Sequence, residues 1–145
     1  VLHVPLVILG LNRVPGGVRV RRAVSLRDLA RTIQDLSDVG ARSPVLPGAS
    51  LVTLGRDSLA PISPVISQVS KELNRQTRNP AYWGDMVSLI DDTLHVIRDG
   101  KGSIEAYAYR TDVAETQNLA QDSTRRALAE RLLDDVVKRS LGARR

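Results

Sequence analysis

A chain of 145 residues is close to the commonest size of one domain and can bury a core without disulfide or metal staples. Its 42% apolar and 26% charged content excludes wholesale disorder, and the lack of Cys excludes disulfides, thiolate nucleophiles and cysteine-ligated zinc or iron–sulfur centres. Net charge is +5 with 18 of 21 basic residues Arg, and it is uneven: residues 1–80 carry 11 basic and 5 acidic groups, +6, and residues 81–145 carry 10 and 11, −1.

Residues 2–9 are apolar but too short for a membrane span and lack a basic flank, so neither a span nor a signal peptide is expected. They read as a strand, with Pro5 favouring an edge or a strand start. The chain begins with Val1 rather than Met, as a processed or trimmed start would. Val14-Pro15-Gly16-Gly17 is a turn signal. Residues 18–24 then read as a second strand, with Val18, Val20 and Val24 on one face and Arg19 and Arg21 on the other. An antiparallel hairpin is expected from the two. Ser25 starts a helix as its cap, with Asp28 at the acid position of a capping box. Leu26, Leu29, Ala30, Ile33 and Leu36 make its apolar stripe, and Asp38-Val39-Gly40 ends it. Residues 41–49, with two prolines and a glycine, form a loop, and 51–54 a short strand closed by Gly55. This order of hairpin, helix and short strand resembles the first half of a β-grasp (ubiquitin-like) domain, which implies fold and not function.

Ser63-Pro64 reads as a helix start, with Ser as cap and Pro in the first turn. Val65, Ile66, Val69 and Leu73 carry its apolar face, and Asn79-Pro80 breaks it. Residues 82–92 read as another short helix with Trp83, Met86, Val87 and Ile90 inward. Strands over 93–97 and 103–109 pair around Arg98-Asp99-Gly100-Lys101-Gly102, a tight hairpin loop. Ile104, Ala106 and Ala108 face one way on the second strand, with Glu105, Tyr107 and Tyr109 opposite. Residues 112–121 are a helical turn or a linker. Residues 123–141 form an amphipathic helix, and Gly142 and the basic Ala143-Arg144-Arg145 end the chain. Arg131/Asp135, Asp134/Lys138 and Asp135/Arg139 fall at helical i,i+4 spacing there. The whole reads as a single α+β domain over 1–145: a largely antiparallel sheet of about five short strands, with three or four helices mainly on one face. With no Phe, one Trp and one Met, its core is aliphatic. The loop at 41–49 is rejected as a boundary, since neither side would hold enough core alone.

Chemistry-bearing patterns are sparse. His95 stands four residues after Asp91 but in a strand, where that spacing loses its common face, and His3 is the other histidine. Two histidines without Cys make a poor metal set, so no metal is expected. Asp91-Asp92 and Asp134-Asp135 are neighbours that do not converge as acid and base must. No Gly-x-Ser-x-Gly elbow and no phosphate loop occurs. Residues 98–102 read first as a plain hairpin turn, with backbone N–H groups that meet an anion as the lesser alternative. No catalytic residue and no cofactor is therefore expected.

Two features point to partners. Arg13, Arg19, Arg21, Arg22, Arg27 and Arg31 concentrate positive charge in the first part of the chain. They suit a solvated or ion-paired face, an acidic protein partner or a nucleic-acid backbone. The lack of aromatics nearby argues against a single-strand platform. Leu128, Leu132, Leu133, Val136 and Val137 span a wide apolar arc on the last helix. That arc packs on the chain's own sheet, or on both the sheet and another subunit. The expectation is a soluble, non-enzymatic structural or assembly subunit of a larger complex, such as a virion, secretion or envelope assembly. Its partners are protein subunits, including copies of itself. A small basic nucleic-acid-binding module is the alternative.

Overall fold

The structure, a computed structural model, describes residues 4–10, 12–37, 44, 46–71 and 77–142, with side chains as far as Arg139. His3, the expected helix end at Asp38-Val39-Gly40, residues 41–43 and 45, Leu73 and residues 143–145 lie outside the described residues. The chain falls into two compact units, Val1–Ser63 and Pro64–Arg145.

In the first unit, residues 4–10 and 18–24 are not strands, so the expected hairpin and the β-grasp order are corrected. An alternating pattern specifies which face a side chain takes but supplies no partner for the backbone. Helix α1 spans Asp28–Leu36, later than expected. Ser25 does not cap it: its Oγ accepts from the Arg27 amide, and its carbonyl from the Asp28 amide, in a turn before the helix. The stripe is also corrected. Thr32 and Gln34 are buried, while Ile33 is 64% exposed and Leu26 66%.

Side-chain hydrogen bonds explain this inversion. Gln34 Nε2 donates to the Pro44 carbonyl at 2.7 Å, and its Oε1 accepts from the Leu46 amide at 3.0 Å. Asp28 Oδ1 accepts from the Ala49 amide, and Thr32 Oγ1 accepts from the Leu51 amide at 2.9 Å. The polar face of α1 thus pairs loop backbone, including the Leu51 amide, which is buried. The segment that follows, expected as a strand, is the short helix α2, Val52–Arg56, whose Leu54 is buried.

The second unit is an antiparallel meander in the order β1-β2-β3-β4: β1 Val65–Val69, β2 Met86–Ile90, β3 Leu94–Arg98 and β4 Ile104–Ala108. Two expected helices are therefore strands. In runs as short as Val65-Ile66-Ser67-Gln68-Val69, helical and strand periods cannot be told apart, and β-branched residues favour the pleat. A 3-10 turn at Pro80–Tyr82 precedes β2. The hairpin from β3 to β4 forms as expected, with His95 opposite Tyr107 and Ile97 opposite Glu105. The fold is α+β, with four strands rather than about five among the described residues.

One sheet face carries the core. Val87, Leu89, Val96, Ile104 and Ala106 pack with Ala129 and Leu133 of α3, Ser123–Gly142. Leu132, Val136 and Val137 lie against this cluster, whereas Leu128 is 62% exposed. The expected apolar arc is thus divided, with Ala129 taking the inward place. Asp134 pairs with Arg98 of β3 at 2.8 Å. No helix among the described residues is long and apolar enough to cross a membrane.

Candidate functional site

Strand alternation sends Val87, Leu89 and Val96 into the core, and so Ser88 and His95 onto the opposite sheet face. The β2–β3 register pairs Ser88 with Ile97 and Ile90 with His95, which makes Ser88 and His95 diagonal neighbours. Their side chains meet: Ser88 Oγ lies 2.7 Å from His95 Nε2. The three residues between β2 and β3 are fixed by Asp91, whose Oδ1 accepts from the Thr93 and Leu94 amides.

The other ring nitrogen, Nδ1, lies 2.7 Å from Oε1 of Glu115, and the His95 side chain is only 16% exposed. Glu115 comes from the loop after β4. Its backbone is left-handed, φ 55°, and its amide donates to the Asp112 carbonyl. Asp112 organises the loop: Oδ1 accepts from the Thr116 amide and hydroxyl, and Oδ2 from the Gln117 amide. The amide bonds from Thr116 and Gln117 hold its carboxyl below the ordinary value. Asn118 closes the loop by accepting from the Ala106 amide at 3.1 Å, at the free edge of β4.

Tyr107, beside His95 on the same face, donates to Glu105 Oε2 at 3.0 Å. Burial pushes its hydroxyl up to about 12, helped by the hydrogen bond to Glu105 and the charges of Glu105, Glu115 and Asp112. On β1, Ser67 directly faces Ser88. The result is a polar line of Ser67, Ser88, His95 and Glu115 across an otherwise aliphatic strip of Val65, Met86, Ile90 and Ile97.

Sequence reading considered His95 only beside Asp91, which serves the turn instead. A helix over 82–92 gives Ser88 no relation to His95. Two strands over 86–90 and 94–98 do, because a short hairpin turn fixes which residues lie diagonal. Glu115 has no local signal, since a loop 20 residues further on brings it to the histidine. The expected alternative at 98–102 also resolves: Asp99 Oδ1 takes the Lys101 and Ser103 amides, so these donors serve the turn.

The six arginines divide. Arg13 donates to the Leu36 carbonyl at the end of α1, Arg22 to the carbonyls of Ser58 and Ala60, and Arg31 to Gln34 and Asp35. These three brace the first unit. Arg19, Arg21 and Arg27 are exposed, and their side chains make no hydrogen bond or ion pair among the described residues. Asp92 pairs with Arg110, and among the described residues no three His, Asp or Glu gather as metal ligands. No protein-family model matches this chain, and no curated protein and no solved structure matches it either.

Proposed function

We propose that the protein is a structural or assembly subunit that works by association with other protein subunits, copies of itself first among them. One observation carries this reading. The first unit buries Thr32 and Gln34 while leaving Val4, Val7, Leu9, Leu26, Ile33 and Leu59 exposed. Single exposed apolar residues are ordinary on any surface, and the support for this reading is that these six large ones fall within residues 4–59 while polar side chains of the same unit are buried. Charge supports it: the +6 of residues 1–80 suits the 11 acidic groups of residues 81–145 on a neighbouring copy, a stretch whose net charge is −1.

Light scattering coupled to size exclusion, at low and high salt, tests the proposal. The expected result is an oligomer that persists at high salt, because apolar burial is not screened. Ile33→Asp is expected to weaken it while leaving the fold intact. A strictly monomeric particle in both buffers would overturn the reading. Salt-sensitive capture of a DNA duplex by that monomer, lost on changing Arg19 and Arg21 to Gln, would favour a nucleic-acid module instead.

A further inference from the structure

The line through Ser88, His95 and Glu115 has an order of atoms that matters chemically. A carboxylate only accepts, so the tautomer with its proton on Nδ1 suits the contact with Glu115. The Nε2 lone pair then faces the Ser88 hydroxyl at 2.7 Å, within reach for proton removal. We propose that this line is an acyl-transfer site: Ser88 is the nucleophile, His95 the general base, and the substrate an ester with a short aliphatic acyl group. This departs from the expectation of a chain without chemistry, and it is independent of the association reading.

Three further observations support it. Among the described residues, two non-glycine residues have left-handed backbone, Asn12 and Glu115. Asn tolerates that conformation readily, whereas Glu does so at a cost of order 1 kcal/mol. The loop therefore holds an unfavourable residue type at 115, braced by Asp112, and what Glu supplies there is a carboxylate on the imidazole. The surroundings define the substrate class. Met86 and Ile90 flank Ser88 along β2, Val65 and Val69 face them on β1, and Ile97 faces Ser88 on β3. An aliphatic acyl chain has apolar surface to lie on. Finally, Ser67 lies directly opposite Ser88 on β1, and its hydroxyl is the donor the proposal assigns to the oxyanion.

The step balances without redox chemistry. Ser88 Oγ bonds to the acyl carbon as its proton passes to Nε2. The tetrahedral adduct expels the alkoxide, which leaves as the alcohol with that proton. Water then adds by the same route, releasing the carboxylic acid and restoring the Ser88 hydroxyl. A single neutral donor stabilises an oxyanion weakly, so acylation of activated esters should outrun turnover. Glu115 touches no substrate atom and is a positioning residue.

The whole chain is treated with a fluorophosphonate probe, followed by intact-mass analysis and peptide mapping, and separately with p-nitrophenyl butyrate. One covalent adduct is expected on Ser88, with a burst of one p-nitrophenolate per chain. Ser88→Ala abolishes both, and His95→Gln slows labelling by about 10²-fold or more. Glu115→Gln lowers the maximal labelling rate while the probe concentration at half-saturation stays unchanged. Circular dichroism confirms that each variant is folded. An unlabelled wild-type protein, or an adduct elsewhere, overturns the proposal. So does Ser88 labelling at the wild-type rate in Glu115→Gln, an exposed loop change that decides the matter should His95→Gln fail to fold.

Discussion

Asp112 binds three donors of its own loop, and these bonds leave a signature in pH. Its folded-state pKa is lowered, so its contribution to stability is fully present above the ordinary value of 3.8 and is lost as pH falls through the folded value. Urea midpoints of the wild type should therefore drop more steeply below about pH 4 than those of Asp112→Asn. A parallel fall in both would show that the loop bonds contribute nothing. Gly100 makes a steric case. A Cβ there would collide with the Pro80 carbonyl oxygen and with the backbone of Gly84, and a Cβ on Gly84 would meet the Gly100 carbonyl oxygen. The β3–β4 turn and the segment before β2 touch backbone to backbone. Gly100→Ala should destabilise by about 1–3 kcal/mol in chemical denaturation, the range for overpacking. The glycines at this contact look in sequence like ordinary turn residues, because only the folded chain brings 80, 84 and 100 together.

At the scale of elements, α3 separates what periodicity shows from what packing selects. Leu133 is fully buried against Leu89 and Val96, whereas Leu128, on the same predicted arc, is largely exposed. Leu133→Ala should cost about 2–5 kcal/mol, and Leu128→Ala should stay within about ±0.5 kcal/mol. Thermal melts of the two variants that shift equally would contradict this division. Helix α1 gives the opposite lesson. Thr32 Oγ1 donates to the Asp28 carbonyl and accepts from the Leu51 amide. Thr32→Val is nearly isosteric, yet it strands that amide in a buried place, at an expected cost of about 1–3 kcal/mol. Denaturation unchanged by this substitution would show that the amide finds another partner. Helicity over 28–36 was legible in the sequence. Its buried face was not, since the choice depended on loop backbone from residues 44–51 needing acceptors and donors.

For the whole molecule, the proposed association rests on the charge split and on the exposed apolar residues of the first unit. Arg19 and Arg21, whose side chains make no hydrogen bond or ion pair among the described residues, would serve such a contact. Changing both to Gln should leave stability within about ±0.5 kcal/mol while reducing association at low salt. Unfolding of that variant would mean that the two arginines brace the fold. Composition alone determined that the chain is globular, aliphatic in its core and without thiol chemistry, because those properties are sums over residues and need no geometry. Local pattern determined the β3–β4 hairpin and the C-terminal helix, where a glycine-rich turn and a long amphipathic period leave one solution each. Tertiary structure decided the rest. The apolar runs at 65–69 and 86–90 became strands because β2 pairs with both β1 and β3, whereas the apolar run at 4–9 and the alternating run at 18–24 pair with no strand among the described residues. The meeting of Ser88, His95 and Glu115 was decided there too, since a strand diagonal and a loop 20 residues away converge only once the sheet has formed.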